Sequence, residues 1–360
     1  MTDDSRAPLA LADKQVTRKP GDAVLEPARR ATMTEVALAA GVSQTTVSLV
    51  LNDVRSARFS AETRTRVLEA ARRLDYQVVR RRPAPAPGAV GAIAFVVDEI
   101  STDPWMALAL DGISEKAWEH GIPVCAATTR GDGDIEQAVL REMSSRPLLG
   151  LIYGTINTRR IERLALHRDV PIVLLNCYLS DHTLPSFVPA EVAGGHTATQ
   201  HLIAAGHRRI GFINGEPWMD ASRDRLKGYR RALANADIGF DAELVRHGNW
   251  EPSAGYERTR ELMALPLPPT AIFCGNDIMA LGCYEALKEM GHRIPEDVAV
   301  VGYDDRELAQ YMRPPLTTVL LPHYEMGAEA AEYLIEHAAR PKTGPMQIKV
   351  EGQLVERRSA

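Results

Sequence analysis

No stretch of the 360-residue chain approaches the ~20 uninterrupted apolar residues of a membrane helix, so the sequence predicts no membrane anchor. Cysteine is scarce. The four residues (Cys125, Cys177, Cys274, Cys283) lie far apart with no C-x-x-C. That argues against a disulfide framework or a cysteine zinc site and fits a reducing compartment. They read as small buried apolar groups. The first thirty residues lack the apolar core of a secretory signal, so a cytoplasmic location is expected. No G-x-x-x-x-G-K-[ST] loop is present, and Gly131-Asp-Gly133 lacks the remaining glycine of a dinucleotide fingerprint. His196 and His201 are five apart, off any shared helical face, which argues against a metal pair. His167-Arg-Asp169 is an isolated kinase-like triplet. No nucleophile–base–orienter set is visible. Neither catalysis nor a metal or cofactor is therefore expected.

What is present is a two-part chain. Its length suits two or three domains. A hydrophobic fraction of 45% and a charged fraction of 25% are those of a globular protein. The net charge of -5 conceals an asymmetry: residues 1–90 carry 15 Lys/Arg against 10 Asp/Glu, and the rest is acidic. A basic head on an acidic body suggests a polyanion partner at the head. Residues 1–30 are low in apolar periodicity and predict a disordered tail. Residues 31–78 show three short helical patterns. Residues 79–89 are basic and carry alternate prolines, the mark of an extended linker.

Within the head, Val36, Ala37 and Ala40 share one helical face, and Val47, Val50 and Leu51 share another. Gly41 between them suits the left-handed residue that ends a helix. Ser43 suits the cap of the next. A third helix from Ser60 to Leu74 offers Val67, Ala70, Ala71 and Leu74 to close a three-helix core. Two short helices across a tight turn form the unit that lays its second helix in the major groove. Gln44, Thr45 and Ser48 fall near the outward N-terminal side of that helix. Gln pairs bidentately with adenine, and Ser and Thr contact bases or phosphate. The hydroxyls of Ser43 and Thr46 suit phosphate contacts that fix register.

The run Val36-Ala37-x-x-Ala40-Gly41-Val42-Ser43-x-x-Thr46-Val47-Ser48-x-Val50-Leu51-Asn52 resembles the DNA-binding signature of LacI/GalR-type transcriptional regulators. Arg64–Tyr76 resembles that family's third helix. The resemblance implies that Gln44, Thr45 and Leu49 read bases, and that Ser43, Thr46, Ser48 and Asn52 hold the backbone. Leu49 stands where the family usually has Arg. An apolar contact with a thymine methyl then replaces a hydrogen bond to guanine. After Tyr76 the family's short hinge helix, with its minor-groove leucine, has no obvious counterpart. Arg80, Arg81 and Arg82 in this segment suit phosphate clamping or a solvated basic linker equally.

From Val90 onward short apolar strands alternate with helical stretches, which predicts doubly wound parallel sheet. Strands are expected at Ala92–Val97, Pro123–Ala127, Gly150–Tyr153, Pro171–Leu175, Arg209–Asn214, Ala271–Cys274 and Val298–Gly302. Helices are expected at Pro104–His120, Gly194–Ala205, Arg223–Ala236, Asp277–Met290 and Tyr324–Ala338. The runs 206–211, 225–229, 275–280, 300–305 and 315–318 also resemble the regulatory core of the same family. That core is similar to periplasmic sugar-binding proteins. The expected fold is therefore a small all-α head plus an α/β body, residues 90–357, of two doubly wound lobes. Lobe 1 is expected to take 90–189 and 306–319, and lobe 2 to take 190–305 and 320–357.

Ligands in such sheets bind beyond the carboxyl ends of strands. Arg225 offers a planar fork for adjacent oxygens. Asp277 accepts from hydroxyls, and Asn176 both donates and accepts. Trp105 and Trp250 offer flat apolar faces. The resemblance puts effector contacts at these five positions, with Asn176 where the family often has Asp and Glu191 in place of another common Asp. The function it implies is a repressor acting as a homodimer on a near-palindromic operator, controlled by a small carbohydrate-like effector. A sugar-binding module and a sugar-processing enzyme, both without a DNA role, are the alternatives. They differ from the first in leaving the ordered head unused.

Overall fold

The computed structural model describes residues 31–51, 60–76, 91–162, 164, 170–337 and 346–360; of Thr45 and Leu49 it describes the backbone alone. Asn52 and the linker residues Arg80 and Arg81 lie outside the described residues, as does the tail.

The head is three helices, α1 (Met33–Ala40), α2 (Gln44–Leu51) and α3 (Ala61–Arg73). Thr32 and Glu35 cap the start of α1 reciprocally. Gly41 ends it at φ 63°, the left-handed conformation expected of it. Ser43 Oγ then accepts from Thr46 N at 3.2 Å and starts α2. Ser60 caps α3, whose Val67, Ala70 and Ala71 bury against Val36, Ala37, Val47 and Val50.

The body runs β1 (Ala92–Val97), α4 (Trp105–Glu119), β2 (Val124–Thr128), α5 (Gly133–Ser144), β3 (Leu148–Arg160), β4 (Ile172–Tyr178), β5 (Ser186–Pro189) and α6 (Glu191–Ala204). It continues with β6 (Ile210–Asn214), α7 (Asp220–Asn235), β7 (Val245–His247), α8 (Pro252–Met263), β8 (Ala271–Cys274), α9 (Asp277–Glu289) and β9 (Ala299–Asp304). Then come β10 (Thr317–Leu320), α10 (His323–His337), β11 (Gln347–Val350) and β12 (Leu354–Val355). These form two six-stranded sheets, ordered β11-β5-β4-β3-β1-β2 and β12-β10-β9-β8-β6-β7. Every pairing is parallel except β10 with β12. Strands such as Ile93–Val97 and Ala271–Cys274 are buried throughout, as strands covered by helices on both faces must be.

The lobe boundaries differ from the expectation. Residues 317–320 pair with β9 and belong to lobe 2, not lobe 1. Conversely α10 packs on α4, and β11 pairs with β5, so residues 323–350 belong to lobe 1. The chain thus passes between lobes three times, after β5, after β10 and after β11. Hydrogen-bond partners decide sheet membership, and a short run such as Thr317-Thr-Val-Leu320 carries no local mark of which edge will accept it. Strand β3 also outruns its expected span, because a register shift between Gly154 and Arg159 lets its end pair again with β4.

Helices α6 and α7 cross at Gly195 and Gly228. A Cβ on Gly228 would collide with Val192 O, and one on Gly195 with Arg225 O. This approach sets Arg225 beside Glu191. Replacing Gly228 with Val should cost about 1–3 kcal/mol by overpacking, read as a lower thermal midpoint. A wild-type midpoint would show that the helices can part without loss.

Candidate functional site

Arg225, on α7, is the centre of the interlobe cleft. It is 3% exposed, and its Nε and Nη2 donate to Glu191 Oε2 and Oε1 at 2.7 and 2.9 Å. Nη1 donates to Gly275 O and lies 3.9 Å from Asp304 Oδ1. The guanidinium sits over the Tyr303 ring at 3.7 Å and 5.5 Å from the Trp250 ring centre. Burial pulls the guanidinium down, but Glu191, Tyr303 and Asp304 together push it further up, so it stays charged. Three of its five N–H groups are thereby used.

Around it is a cavity of about 150 Å³, walled by both lobes. Lobe 1 supplies Trp105, Asn176 and His323; lobe 2 supplies Arg225, Trp250, Asn276, Asp304 and Arg306. Trp105 stacks on His323 with ring centres 5.6 Å apart. Burial and the Arg225 charge lower His323 to about 3, so its ring is neutral at physiological pH, and neither ring nitrogen has a hydrogen-bond partner among the described residues. Trp250 takes φ 68° and packs so closely on Gly215 that no side chain fits there. Asp304, at φ 110°, is buried at the end of β9. Burial pushes its carboxyl well above the usual range, against the opposing pull of Arg225. An Asp103–Arg306 ion pair at 2.9 Å links the lobes at the rim.

Four of the five residues expected to face an effector are brought together: Trp105, Asn176, Arg225 and Trp250. Asp277 is not among them. It is fully buried and accepts from Thr318 Oγ1 at 2.6 Å and from Arg306 N at 2.7 Å, tying β10 and the β9 exit to α9. Burial raises its carboxyl to about 7. The neighbouring Asn276, which caps α9 through Met279 N at 2.7 Å, lines the cavity instead. The offset is one of helix geometry, since the capping residue stands at the open end and the first helical residue turns inward. Asn176, at φ 57°, spends both amide protons on Thr155 O and Ile156 O, at 2.9 and 3.0 Å, and so shapes the wall rather than donating into the cavity. Glu191, Asn276, Asp304 and His323 were not singled out as site residues by sequence. Asn276 and Asp304 lie inside recognised motif runs, so the signal was present one position away.

The head departs from its expected exposure. Gln44 is 3% exposed, its Nε2 donating to Glu325 Oε1 at 2.6 Å and to Thr34 Oγ1 at 2.5 Å. Ser48 Oγ donates to Asp111 Oδ2 at 3.0 Å. Ser43 and Thr46 are buried and hydrogen-bonded to each other at 3.0 Å. The face of α2 that the sequence expected to read DNA therefore lies on α4 and α10 of lobe 1, where Asp111 and Glu325 accept from Ser48 and Gln44. Tyr76 and Tyr324 both donate to Glu115 nearby, at 3.0 and 2.6 Å. The junction is poorly filled, however. A space of about 710 Å³ remains there, lined by Asp75, Glu115, Glu119, Glu325, Glu329 and Glu332 among others.

Two regions match family models: residues 32–78 match bacterial regulatory proteins of the lacI family, and residues 199–360 match a periplasmic binding protein-like domain. The ribose operon repressor of Escherichia coli (strain K12) is 34% identical over 333 residues, covering 92% of this chain and all of that protein. This chain belongs to the LacI family. The repressor PurR of Photobacterium profundum is 32% identical over 332 residues, 91% of this chain and 98% of that one. Among solved structures, the regulator CelR in complex with cellobiose superposes with a TM-score of 0.61 at 31% identity, covering 92% of this chain and all of that chain. A LacI-family transcriptional regulator from Mycobacterium smegmatis gives 0.59 at 26% identity, covering 75% and 99%. The chain is thus a DNA-binding transcriptional regulator under effector control, and its relatives are regulators rather than enzymes.

Two outcomes are expected. Asp277→Ala should lower stability by about 1–3 kcal/mol through unsatisfied buried partners, whereas Asp304→Ala should leave the melting midpoint nearly unchanged; equal midpoints would reverse the two roles. Burial raises the Glu325 carboxyl from 4.5 to about 7, so this lobe 1 group holds a proton while the head covers it and gives it up when the head leaves. Docking is strongest below pH 4.5 and weakens as pH rises through about 7. Small-angle scattering across that range should show the chain expanding on the alkaline side. Contraction there would contradict the assignment.

Proposed function

We propose that this regulator is a repressor that acts in the cytoplasm as a homodimer, presenting α2 of each copy to one half of a near-palindromic operator, and that its effector is a small carbohydrate held in the cleft. Gln44, Thr45 and Leu49 read bases; Ser43, Thr46, Ser48 and Asn52 hold the backbone, with Arg80 and Arg81 in support. The observation that carries the effector reading is the cavity itself. Two indole faces from opposite lobes flank a forked cation, an acceptor and a neutral imidazole within about 150 Å³. That is far below the ~300–1,000 Å³ of drug-sized sites and suits one sugar ring. The names of the ribose repressor and the cellobiose complex support the same class.

Control follows from shared structure. His323, in the cavity, and Glu325, which holds Gln44, stand on the first turn of α10. Trp105, Asp304 and Arg306 line both the effector cavity and a second space, of about 260 Å³, that Gln44 borders. A ligand bridging the lobes therefore moves the surface on which α2 rests. Shifting such an equilibrium from 1:99 to 99:1 takes about 5.5 kcal/mol of differential binding.

Gel shifts with operator DNA test the reading. Deleting residues 1–78 should abolish binding. Asp304→Ala should retain binding but lose the response to sugar. Glu325→Ala, which frees Gln44, should tighten operator binding several-fold, about 1 kcal/mol for one lost hydrogen bond. DNA binding that survives removal of the head would refute the regulator reading.

A further inference from the structure

A second cavity, of about 310 Å³, adjoins the first and shares Asn157, Thr158 and Met219 with it. Its chemistry is different. Arg159, Arg160 and Arg223 line it, with Asp220 as the only acidic group on its wall. Arg159 and Arg160 are not on a loose loop: they end β3 in register with Cys177 and Tyr178 of β4. Arg159 is braced by Asp98 at 3.0 Å, and Arg223 by Asp220 and by Trp218 O. Asp220 is itself held by the Tyr178 hydroxyl at 2.7 Å. The Arg160 side chain makes no hydrogen bond or ion pair among the described residues. Opposite, α7 begins in the cavity with Met219 as its cap and no capping side chain, so its first-turn amides and positive dipole end add to the same field.

Taking the inner cavity as the effector site proposed above, we propose that the effector is a phosphorylated monosaccharide, its ring in the inner cavity and its phosphate in the outer one. Three guanidiniums against the carboxylates of Asp220 and Asp98 leave a surplus of one positive charge, to which the first-turn amides of α7 add, for an anion. Planar forks match phosphate oxygens. The outer cavity also lies between a strand end of lobe 1 and a helix start of lobe 2, so a phosphate there draws the lobes together. A second sugar ring stacked on Trp218 is the competing occupant. That indole is 71% exposed, whereas three arginines line the same cavity.

Calorimetric titration of the full chain tests this with an aldopentose, an aldohexose and a ketohexose, each beside its terminal phosphate ester, its sugar acid and a disaccharide containing it. Inorganic phosphate serves as the control. At least one ester should bind about tenfold or more tighter than its parent sugar, the worth of one charged hydrogen bond. The gain should shrink with added salt, because the arginines are half-exposed. Arg160→Gln should bring the ratio of ester to parent near one while leaving the parent's affinity in place. Parent sugars that bind as well as their esters, or a gain that survives both Arg160→Gln and Arg223→Gln, would overturn the phosphate assignment alone. So would tighter binding by a disaccharide or a sugar acid. Failure of every parent and ester to bind would overturn this assignment and the carbohydrate reading together.

Discussion

The bidentate pair between Arg225 and Glu191 organises the second lobe's wall of the cleft. Glu191 is the first residue of α6, set immediately after the chain leaves lobe 1, and Arg225 lies one helix later. Holding these two charges together out of water requires α6 and α7 to touch, and glycines at the crossing permit it. Once placed, the guanidinium orients Gly275 O, Tyr303 and Asp304 around itself. A buried ion pair contributes little net stability over an apolar pair of equal volume, but removing one partner costs several kcal/mol. Its value here is positional: one side chain defines where the cation, the acceptor and the aromatic faces of the pocket stand.

The cleft and the head are mechanically close because α10 serves both. Its first turn carries an imidazole facing the interlobe cavity and a carboxyl facing α2, two residues apart. The carboxylates of Asp111 and Glu325 give Gln44 and Ser48 acceptors much as a DNA backbone or base edge would. On the proposed role of Gln44 and Ser48 in DNA contact, the docked head and the operator compete for the same donors.

Much of the fold was legible along the chain, and for identifiable reasons. Gly41 and Ser43 punctuate the two head helices through local backbone conformation and a side-chain cap, both of which act within a few residues. Strands Ala92–Val97 and Ala271–Cys274 begin and end where expected, since a parallel strand buried on both faces is an uninterrupted apolar run. The short edge strands β7, β11 and β12 lack such a run, because each pairs along one side only. The site was legible to within a residue at Asp277 and Asn276. One-position errors matter at a helix start, where consecutive side chains point to different places.

The sequence by itself determined the kinds of element, the helix-turn-helix order in the head and the aromatic and charged residues that face the cleft, because each rests on local periodicity or capping. Only the tertiary structure decided which lobe owns β10, α10 and β11, that Asp277 is a buried tie while Asp304 meets the cavity, and that α2 rests on lobe 1. Those outcomes depend on hydrogen bonds and ion pairs between residues tens to hundreds of positions apart, for which no local pattern exists.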